Sequence, residues 1–219
     1  MAFLWVIVYG LTLGLMQRVA DRPWLRGCLP VAFCVAFLLW IIKTGRLQQA
    51  GLGKLRLTGF RQGACLLVLM LLPVCNLVCS KGQIPAASFC LEMLGVCLAE
   101  ELFFRGFLLG FLSREKPFRG MVLSSLLFAL MHLANLLSGA DPLFTGLQAI
   151  CGFAVGLCYC AVTLRFGSLL PCTAAHFLTN IFGTGSAQGA AMITGLLVCT
   201  AVYGLCGLGI CPKTQEETL

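Results

Sequence analysis

"CLAEELFFRGFLLGF", residues 97–111, places two adjacent glutamates and one arginine in a stretch that is otherwise apolar enough to lie in lipid. A charged side chain at the centre of a bilayer costs about 2.5–3.5 kcal/mol on insertion scales, and more in simulations. Such residues rarely face lipid, and they usually pair with one another, line a cavity or take part in chemistry. Glu100, Glu101 and Arg105 are therefore the first candidates for functional residues.

The composition of the whole chain indicates a membrane protein. Hydrophobic residues make up 59% of the 219 positions and charged residues 11%, and the mean hydropathy is +0.96. A soluble domain averages about 25% charged residues. The apolar segments are continuous rather than alternating, which favours helices over a β-barrel. We predict an all-α fold, a polytopic transmembrane helix bundle that forms a single membrane-embedded domain over residues 1–219.

The apolar segments predict about eight spans. They lie at about 2–18, 27–42, 63–79, 87–111, 119–138, 144–164, 169–184 and 187–209. The seventh is short and contains several polar residues, so it suits the interior of the bundle better than a lipid-facing position. Ten lysines and arginines fall in the loops on one side and four in the loops on the other. This asymmetry predicts a multi-pass protein with both termini inside (N-in/C-in), in the cell membrane if the protein is prokaryotic.

The net charge of +7 does not indicate a nucleic-acid partner, because the basic residues lie between apolar segments without a basic run or interleaved aromatic residues. The stretch "KTGRLQQAGLGKLRLTGFRQG", residues 43–63, instead predicts a juxtamembrane segment on an anionic leaflet. The fourteen cysteines are scattered through apolar segments with no CxxC pair. This distribution is typical of small packing residues rather than of a disulfide or metal framework.

The charged residues of the opening stretch fall into two groups on the predicted helix. Glu101 and Arg105 are spaced i, i+4, so one helical turn brings them together as an ion pair. Such pairing lowers the cost of placing both charges inside the bundle. Glu100 points about 100° away around the helix and has no local partner.

Both histidines of the chain fall within predicted spans. His132 ends the stretch "FALMH", and His176 begins the stretch "HFLTN", in which Asn180 lies one turn later on the same face. With a rise of about 1.5 Å per residue, Glu100, the two histidines and Asn180 lie about 12–21 Å along their helices from the inner loops. Three different helices therefore place these side chains at comparable depths, where they can meet.

Three motifs occur in order along the chain: EExxxR (Glu100, Glu101, Arg105), FxxxH (Phe128, His132) and HxxxN (His176, Asn180). Together they resemble the CPBP family of intramembrane proteases, also called Abi. This family includes the type II CAAX prenyl endopeptidases and proteins of bacteriocin processing or immunity. The motifs lie within residues 97–185, and the resemblance extends over about 87–185.

The resemblance implies an intramembrane endopeptidase that hydrolyses a peptide bond in a membrane-associated or lipid-modified substrate, such as a CAAX-like protein or a bacteriocin or signal peptide. Glu100 with His132 would bind and deprotonate a water molecule, which attacks the scissile carbonyl. His176 and Asn180 would donate hydrogen bonds to the developing oxyanion, where one lost donor typically costs about 3–4 kcal/mol. The expected partners are this substrate and the lipid bilayer.

The resemblance also implies supporting roles and leaves the metal question open. Glu101 and Arg105 would hold their helix in register. Glutamate and histidine are also zinc ligands, so Glu100, His132 and His176 would bind the metal if zinc is used. No HExxH motif is present, and the similarity to the CAAX endopeptidases favours a glutamate mechanism without a cofactor.

Two other classes of function stay open at this point. In a proton-coupled transporter, Glu100 and both histidines would relay protons, although no inverted repeat or paired broken helices are visible. In a non-catalytic immunity or adaptor protein, the same pocket would hold a peptide without cleaving it.

Overall fold

The computed structural model describes residues 2–56, 60–79, 85–183 and 190–212, and these residues are mostly helical. The α-helices in these ranges are α1 (Ala2–Arg18), α2 (Pro23–Lys43), α3 (Phe60–Leu69), α4 (Leu71–Cys79), α5 (Ala87–Glu101), α6 (Leu109–Leu112), α7 (Pro117–His132), α8 (Pro142–Phe166), α9 (Leu170–Gly183) and α10 (Ala190–Ile210). A π-helical segment, Leu102–Leu108, joins α5 to α6, and a 3₁₀ segment, Leu133–Ser138, follows α7. Within the described ranges, β-type pairing is limited to an isolated bridge between Leu52 and Ser168.

Four helices of the described ranges are long and apolar enough to cross a membrane: Pro23–Lys43, Pro117–Leu137, Pro142–Phe166 and Ile193–Ile210. The prediction of an all-α membrane protein is therefore confirmed. The other predicted segments are helical as well, but they are shorter, interrupted or more charged. For example, α1 has 17 residues, and the third predicted segment is divided between α3 and α4. The count of eight spans stays a prediction.

Local signals in the sequence fix the ends of α7 and α8. Pro117 and Pro142 lie in the first turn of α7 and α8, where a missing N–H costs nothing. The carboxylate of Asp141 caps α8 by accepting a hydrogen bond from the backbone N–H of Phe144 at 3.0 Å. At its other end α8 stops at Gly167, whose φ of +72° lies in the left-handed region that favours glycine.

Helix α8 lies at the centre of the bundle, between α7 and α10. Small residues let the backbones approach closely. A Cβ atom added at Gly156 would lie 2.9 Å from the Cβ of Ser125 on α7, and one at Gly207 of α10 would lie 2.7 Å from the backbone N of Cys158. Cys158 and its neighbour Cys160 are fully buried. These cysteines serve as small packing residues, as expected where helices associate through close backbone contact.

Helix α5, which carries the two central glutamates, packs against α2 and α9. Near its start the Glu92 carboxylate pairs with the Nε atom of Arg26 on α2 at 2.8 Å. Helix α9 is short, at 14 residues, and lies inside the bundle beside α5. This packing brings α9 and its histidine against the end of α5.

The chain that follows α2 folds back onto the protein. The backbone N–H of Arg56 donates to the carbonyl of Phe166 at 3.0 Å, and the N–H of Leu169 donates to the carbonyl of Gly51 at 2.8 Å. We call residues 44–56 the juxtamembrane segment. Its backbone is thus tied to the turn after α8.

Two glycines let the juxtamembrane segment lie directly against the π-helical segment and α6. A Cβ atom at Gly106 would lie 2.9 Å from the carbonyl oxygen of Ala50, and one at Gly110 would overlap the carbonyl of Gln49. The spacing of four residues puts both glycines on one face of the helix. Larger residues at either position would push the segment away.

Candidate active site

The candidate site begins where α5 changes into the π-helical segment. Glu100 and Glu101 are the last two residues of α5, and Arg105 lies in the π-helical segment that follows. Single π-helical turns are rare and are often found at functional sites. The irregular turn therefore coincides with the charged residues that the sequence singled out.

Glu101 is the centre of a buried polar network. Its side chain is fully buried, and its Oε1 atom accepts a hydrogen bond from the Nη1 atom of Arg105 at 3.1 Å. The same oxygen lies 2.9 Å from the Nδ1 atom of His176 on α9. The predicted Glu101–Arg105 ion pair is confirmed, and the histidine is a third member that the local spacing did not predict. Because a carboxylate only accepts, Nδ1 of His176 is the donor.

Arg105 is enclosed by aromatic rings as well as by its carboxylate. Its guanidinium carbon lies 4.0 Å from the centroid of the Phe128 ring and 5.4 Å from that of Tyr159. The Nε and Nη2 atoms have no hydrogen-bond acceptor within the described ranges. Cation–π attraction to the two rings compensates in part for these missing hydrogen bonds.

Glu100 faces a different set of partners. The hydroxyl of Tyr9 on α1 donates a hydrogen bond to its Oε1 atom at 3.3 Å, and its Oε2 atom lies 3.7 Å from the Nε2 atom of His176. The imidazole of His176 therefore lies between the two carboxylates, with Nδ1 bound to Glu101 and Nε2 turned towards Glu100. The Glu100 side chain is 19% exposed, whereas that of Glu101 is fully buried. Of the two carboxylates, Glu100 is therefore the more accessible.

His132, at the end of α7, is oriented by its own helix. Its Nδ1 atom lies 3.0 Å from the carbonyl oxygen of Phe128, and a carbonyl only accepts, so Nδ1 carries the proton. The neutral imidazole then presents its Nε2 lone pair to another partner. The Phe128 ring lies between the two histidines, with centroids 4.9 Å from His132 and 6.0 Å from His176.

Asn180 lies one turn beyond His176 on α9. Its Nδ2 atom donates to the Sγ atom of Cys97 on α5 at 3.3 Å. Sulfur is a weak acceptor, so this contact holds the amide in place while leaving it available to a stronger partner.

His132, His176 and Asn180 line one cavity of about 730 Å³. This volume is within the usual range of pockets for small ligands, about 300–1,000 Å³. Most of the wall is apolar, and its exposed polar members, Asn135, Asp141 and Gln148, lie at the turn between α7 and α8 and in the first turns of α8. The cavity thus opens at this end of the bundle. The structure thus places three of the four predicted catalytic residues in the wall of one cavity. Glu100 is not among the lining residues and contacts this group through His176.

Sequence reasoning missed Tyr9, which lies 91 positions from the carboxylate that it contacts. Its side chain is buried, with 4% exposure, and stacks on Phe103 with centroids 6.3 Å apart. One signal was available. A tyrosine inside an apolar span needs a partner for its hydroxyl, and the chain has only three tyrosines.

The side chains of the candidate site can be examined for an arrangement that would hold a metal ion. Among the residues that the structure describes, no group of three or more His, Cys, Asp or Glu side chains is arranged to hold a metal ion. His176 is engaged with two carboxylates, and His132 with the carbonyl of Phe128. We therefore derive no step through a metal.

The helices and this site define a polytopic membrane protein with a polar centre at the inner end of a cavity. Residues 82–182 match the family model of the type II CAAX prenyl endopeptidase Rce1-like proteins. The match covers less than half of the 219 residues, but it contains all three motifs. No curated protein and no solved structure matches the chain significantly. The predicted family resemblance is confirmed, and the family is one of membrane proteases acting in a lipid bilayer.

Proposed function

We propose that the chain is an intramembrane endopeptidase of the CAAX type, in which Glu100 and His132 activate water and His176 and Asn180 stabilise the oxyanion. The observation that carries the proposal is the position of His176. It lies between two carboxylates and lines, together with His132 and Asn180, the same cavity. These residues also carry the motifs of the matched family region.

The first step is the attack of water on the scissile carbonyl. The Nε2 lone pair of His132 accepts a hydrogen bond from the water, and the Glu100 carboxylate takes one of its protons. The water oxygen bonds to the carbonyl carbon. The Tyr9 hydroxyl holds the Oε1 atom of Glu100, so that Oε2 is the oxygen left for the proton.

The second step is the collapse of the tetrahedral intermediate. The Asn180 amide turns from Cys97 to the oxyanion, and His176, when protonated, donates from Nε2. The carbon–nitrogen bond then breaks, and the proton held by Glu100 passes to the leaving amine. Glu101 and Arg105 keep His176 in position, because Nδ1 of His176 is bound to Glu101.

The mostly apolar cavity suits a membrane-associated or lipid-modified peptide. If the eight segments cross the membrane with both termini inside, Arg114 and its neighbours lie on the inner side. The mouth of the cavity, at the turn between α7 and α8, then lies towards the outer side. The substrate would enter from that side or from within the bilayer.

The experiment that tests the proposed function is a comparison of membrane peptides from cells that contain either the wild-type protein or the Glu100→Gln variant. We expect a peptide or protein that is shortened only with the wild type, which also identifies the cut site. If both strains keep protection or partner binding and no peptide changes, the result would favour an adaptor. Uptake driven by a pH gradient into proteoliposomes, without cleavage, would favour a transporter.

Tyr9→Phe is expected to lower kcat by roughly tenfold with little change in KM, since a hydrogen bond to a charged group contributes about 1.5–3 kcal/mol. The phenyl ring keeps the packing and removes only the hydroxyl that orients Glu100. The measurement is steady-state cleavage of the identified substrate in proteoliposomes. Tyr203→Phe is the matched control, because the Tyr203 hydroxyl donates to the carbonyl of Leu69, away from the site. Equal activities for the two variants would contradict the role of Tyr9.

Chelation is expected to leave the activity unchanged within about twofold, and the purified protein is expected to contain less than one zinc ion per chain. A zinc site would need three or four converging ligands. The measurement is cleavage with and without a chelator, together with elemental analysis. Loss of activity that added zinc restores would overturn the metal-free mechanism and support the ligand set of Glu100, His132 and His176.

A further inference from the structure

A second cavity, of about 610 Å³, lies at the opposite end of the bundle from the mouth of the candidate active site. Its wall is formed by the juxtamembrane segment, by α6 with the turn after it, and by the end of α8. We propose that this cavity binds the phosphate-bearing headgroup of an anionic lipid. The proposal does not depend on the proposed peptidase function.

The charges that line this cavity are uniformly positive. Lys54 and Arg56 reach it from the juxtamembrane segment, and Arg114 reaches it from the turn after α6. The buried Arg105, which is paired with Glu101, also lines the cavity. Lys54, Arg56 and Arg114 form no ion pair within the described part of the chain, and all three are exposed. The Arg114 guanidinium lies 5.6 Å from the Phe111 ring centroid, and Glu115, its acidic neighbour, does not line the cavity.

Neutral hydrogen-bond donors complete the polar lining. Gln48, Gln49, Ser113 and Thr163 belong to the wall, as do Gly51 and Gly53. Three exposed cations, the buried Arg105 and several neutral polar residues surround one cavity. They match the oxygens of a phosphate group, which accepts charge-assisted hydrogen bonds from lysine and arginine. A basic pocket between helices at the membrane surface is a recurrent form of lipid headgroup site.

The surroundings favour a lipid over a soluble phosphate compound. The same juxtamembrane segment exposes Leu47 and Leu55, at 40% and 42%, beside its cations. Leu52, Leu109 and Leu164 line the cavity itself. Leucines next to basic residues are typical of a segment that inserts its apolar side into a leaflet while its charges contact headgroups. An acyl chain can therefore continue from the bound phosphate along apolar surface.

The site is built rather than formed by scattered surface charges. The juxtamembrane segment is bound to the turn after α8 by two backbone hydrogen bonds and lies against Gly106 and Gly110. This packing holds Lys54 and Arg56 opposite Arg114, although about 60 residues of chain separate them.

The test is native mass spectrometry of the full chain in detergent, titrated with phosphatidylglycerol and, separately, with phosphatidylcholine. We expect the wild-type protein to bind phosphatidylglycerol at least about tenfold more tightly, since each cation near an anionic headgroup adds to the affinity. The triple variant Lys54→Gln, Arg56→Gln, Arg114→Gln is expected to lose this preference. The matched control is Lys43→Gln, Lys116→Gln, Arg119→Gln, which removes three exposed cations from the same end outside the cavity.

The outcomes separate the possible ligands. The proposal is supported if the control keeps the preference for phosphatidylglycerol and the triple variant loses it. Both variants must unfold at the same temperature as the wild type in phosphatidylcholine. If the triple variant does not fold, Arg114→Gln alone must lower the preference for phosphatidylglycerol. An equal preference for phosphatidylglycerol in all the proteins overturns the proposal. Complete displacement of phosphatidylglycerol by inorganic phosphate also overturns it and would assign the cavity to a soluble phosphate compound.

Discussion

Glu100→Gln is expected to lower kcat/KM for the identified substrate by about a thousandfold, since a positioned general base contributes roughly 10²–10⁴ to the rate. The substitution removes the proton acceptor and keeps the size of the side chain. A glutamine oxygen can still accept the hydrogen bond from Tyr9, so the local packing is retained. The measurement is cleavage by purified protein in proteoliposomes, with thermal unfolding recorded to confirm that the variant is folded.

Glu92→Gln is the matched control for this prediction. It removes the same charge from the same helix, at an ion pair with Arg26 near the start of α5. We expect its kcat/KM to stay within about threefold of the wild-type value, because Glu92 pairs with Arg26 and with none of the proposed catalytic residues. A Glu100→Gln variant that retains more than about a tenth of the wild-type activity would rule out Glu100 as the base.

Arg105→Met is expected to lower the free energy of unfolding by about 3–5 kcal/mol, the usual cost of removing one partner of a buried ion pair. The Arg105 and Glu101 side chains are both fully buried, so the carboxylate would be left with His176 as its remaining partner. The loss of the contacts with the Phe128 and Tyr159 rings adds to the cost. The measurement is unfolding of the purified protein by titration with a denaturing detergent.

Arg26→Met makes the same chemical change at an ion pair whose arginine side chain is 40% exposed and whose glutamate side chain is 8% exposed. It is expected to cost less than Arg105→Met, because solvent screens the Arg26 end of the pair. Arg105→Lys is expected to fall between the two, because it keeps the charge but loses the planar guanidinium over the rings. If Arg105→Met destabilises the protein no more than Arg26→Met, the buried pair is not a major source of stability.

The parts of the site that could be predicted from the sequence are those that depend on one helix. The pair of Glu101 and Arg105 follows from helical periodicity, and the HxxxN spacing places His176 and Asn180 on one face of α9. The continuous apolar segments likewise predict the helical membrane bundle. In each case the period of the helix alone determines which side chains are neighbours.

The remaining features depend on how separate helices pack. The contact of His176 with Glu101 joins residues 75 positions apart, and that of Tyr9 with Glu100 joins residues 91 positions apart. No local pattern specifies these distances, because they follow from the docking of α9 and α1 on α5. The fold-back of the juxtamembrane segment is of the same kind, since it needs Gly106 and Gly110, which lie about 60 residues later in the chain.

The π-helical segment lies between the two ends of the molecule. It joins the carboxylates at the end of α5 to Gly110, which contacts the juxtamembrane segment. Deleting one residue here would let the helix return to α geometry and turn everything beyond it by about 100°. The glycine face would then swing away from its backbone partner even though both glutamates kept their positions. The number of residues in the π-helical segment therefore determines the rotation of α6 relative to α5. In this way it couples the position of the proposed catalytic residues at one end of the bundle to that of the proposed lipid-binding cavity at the other.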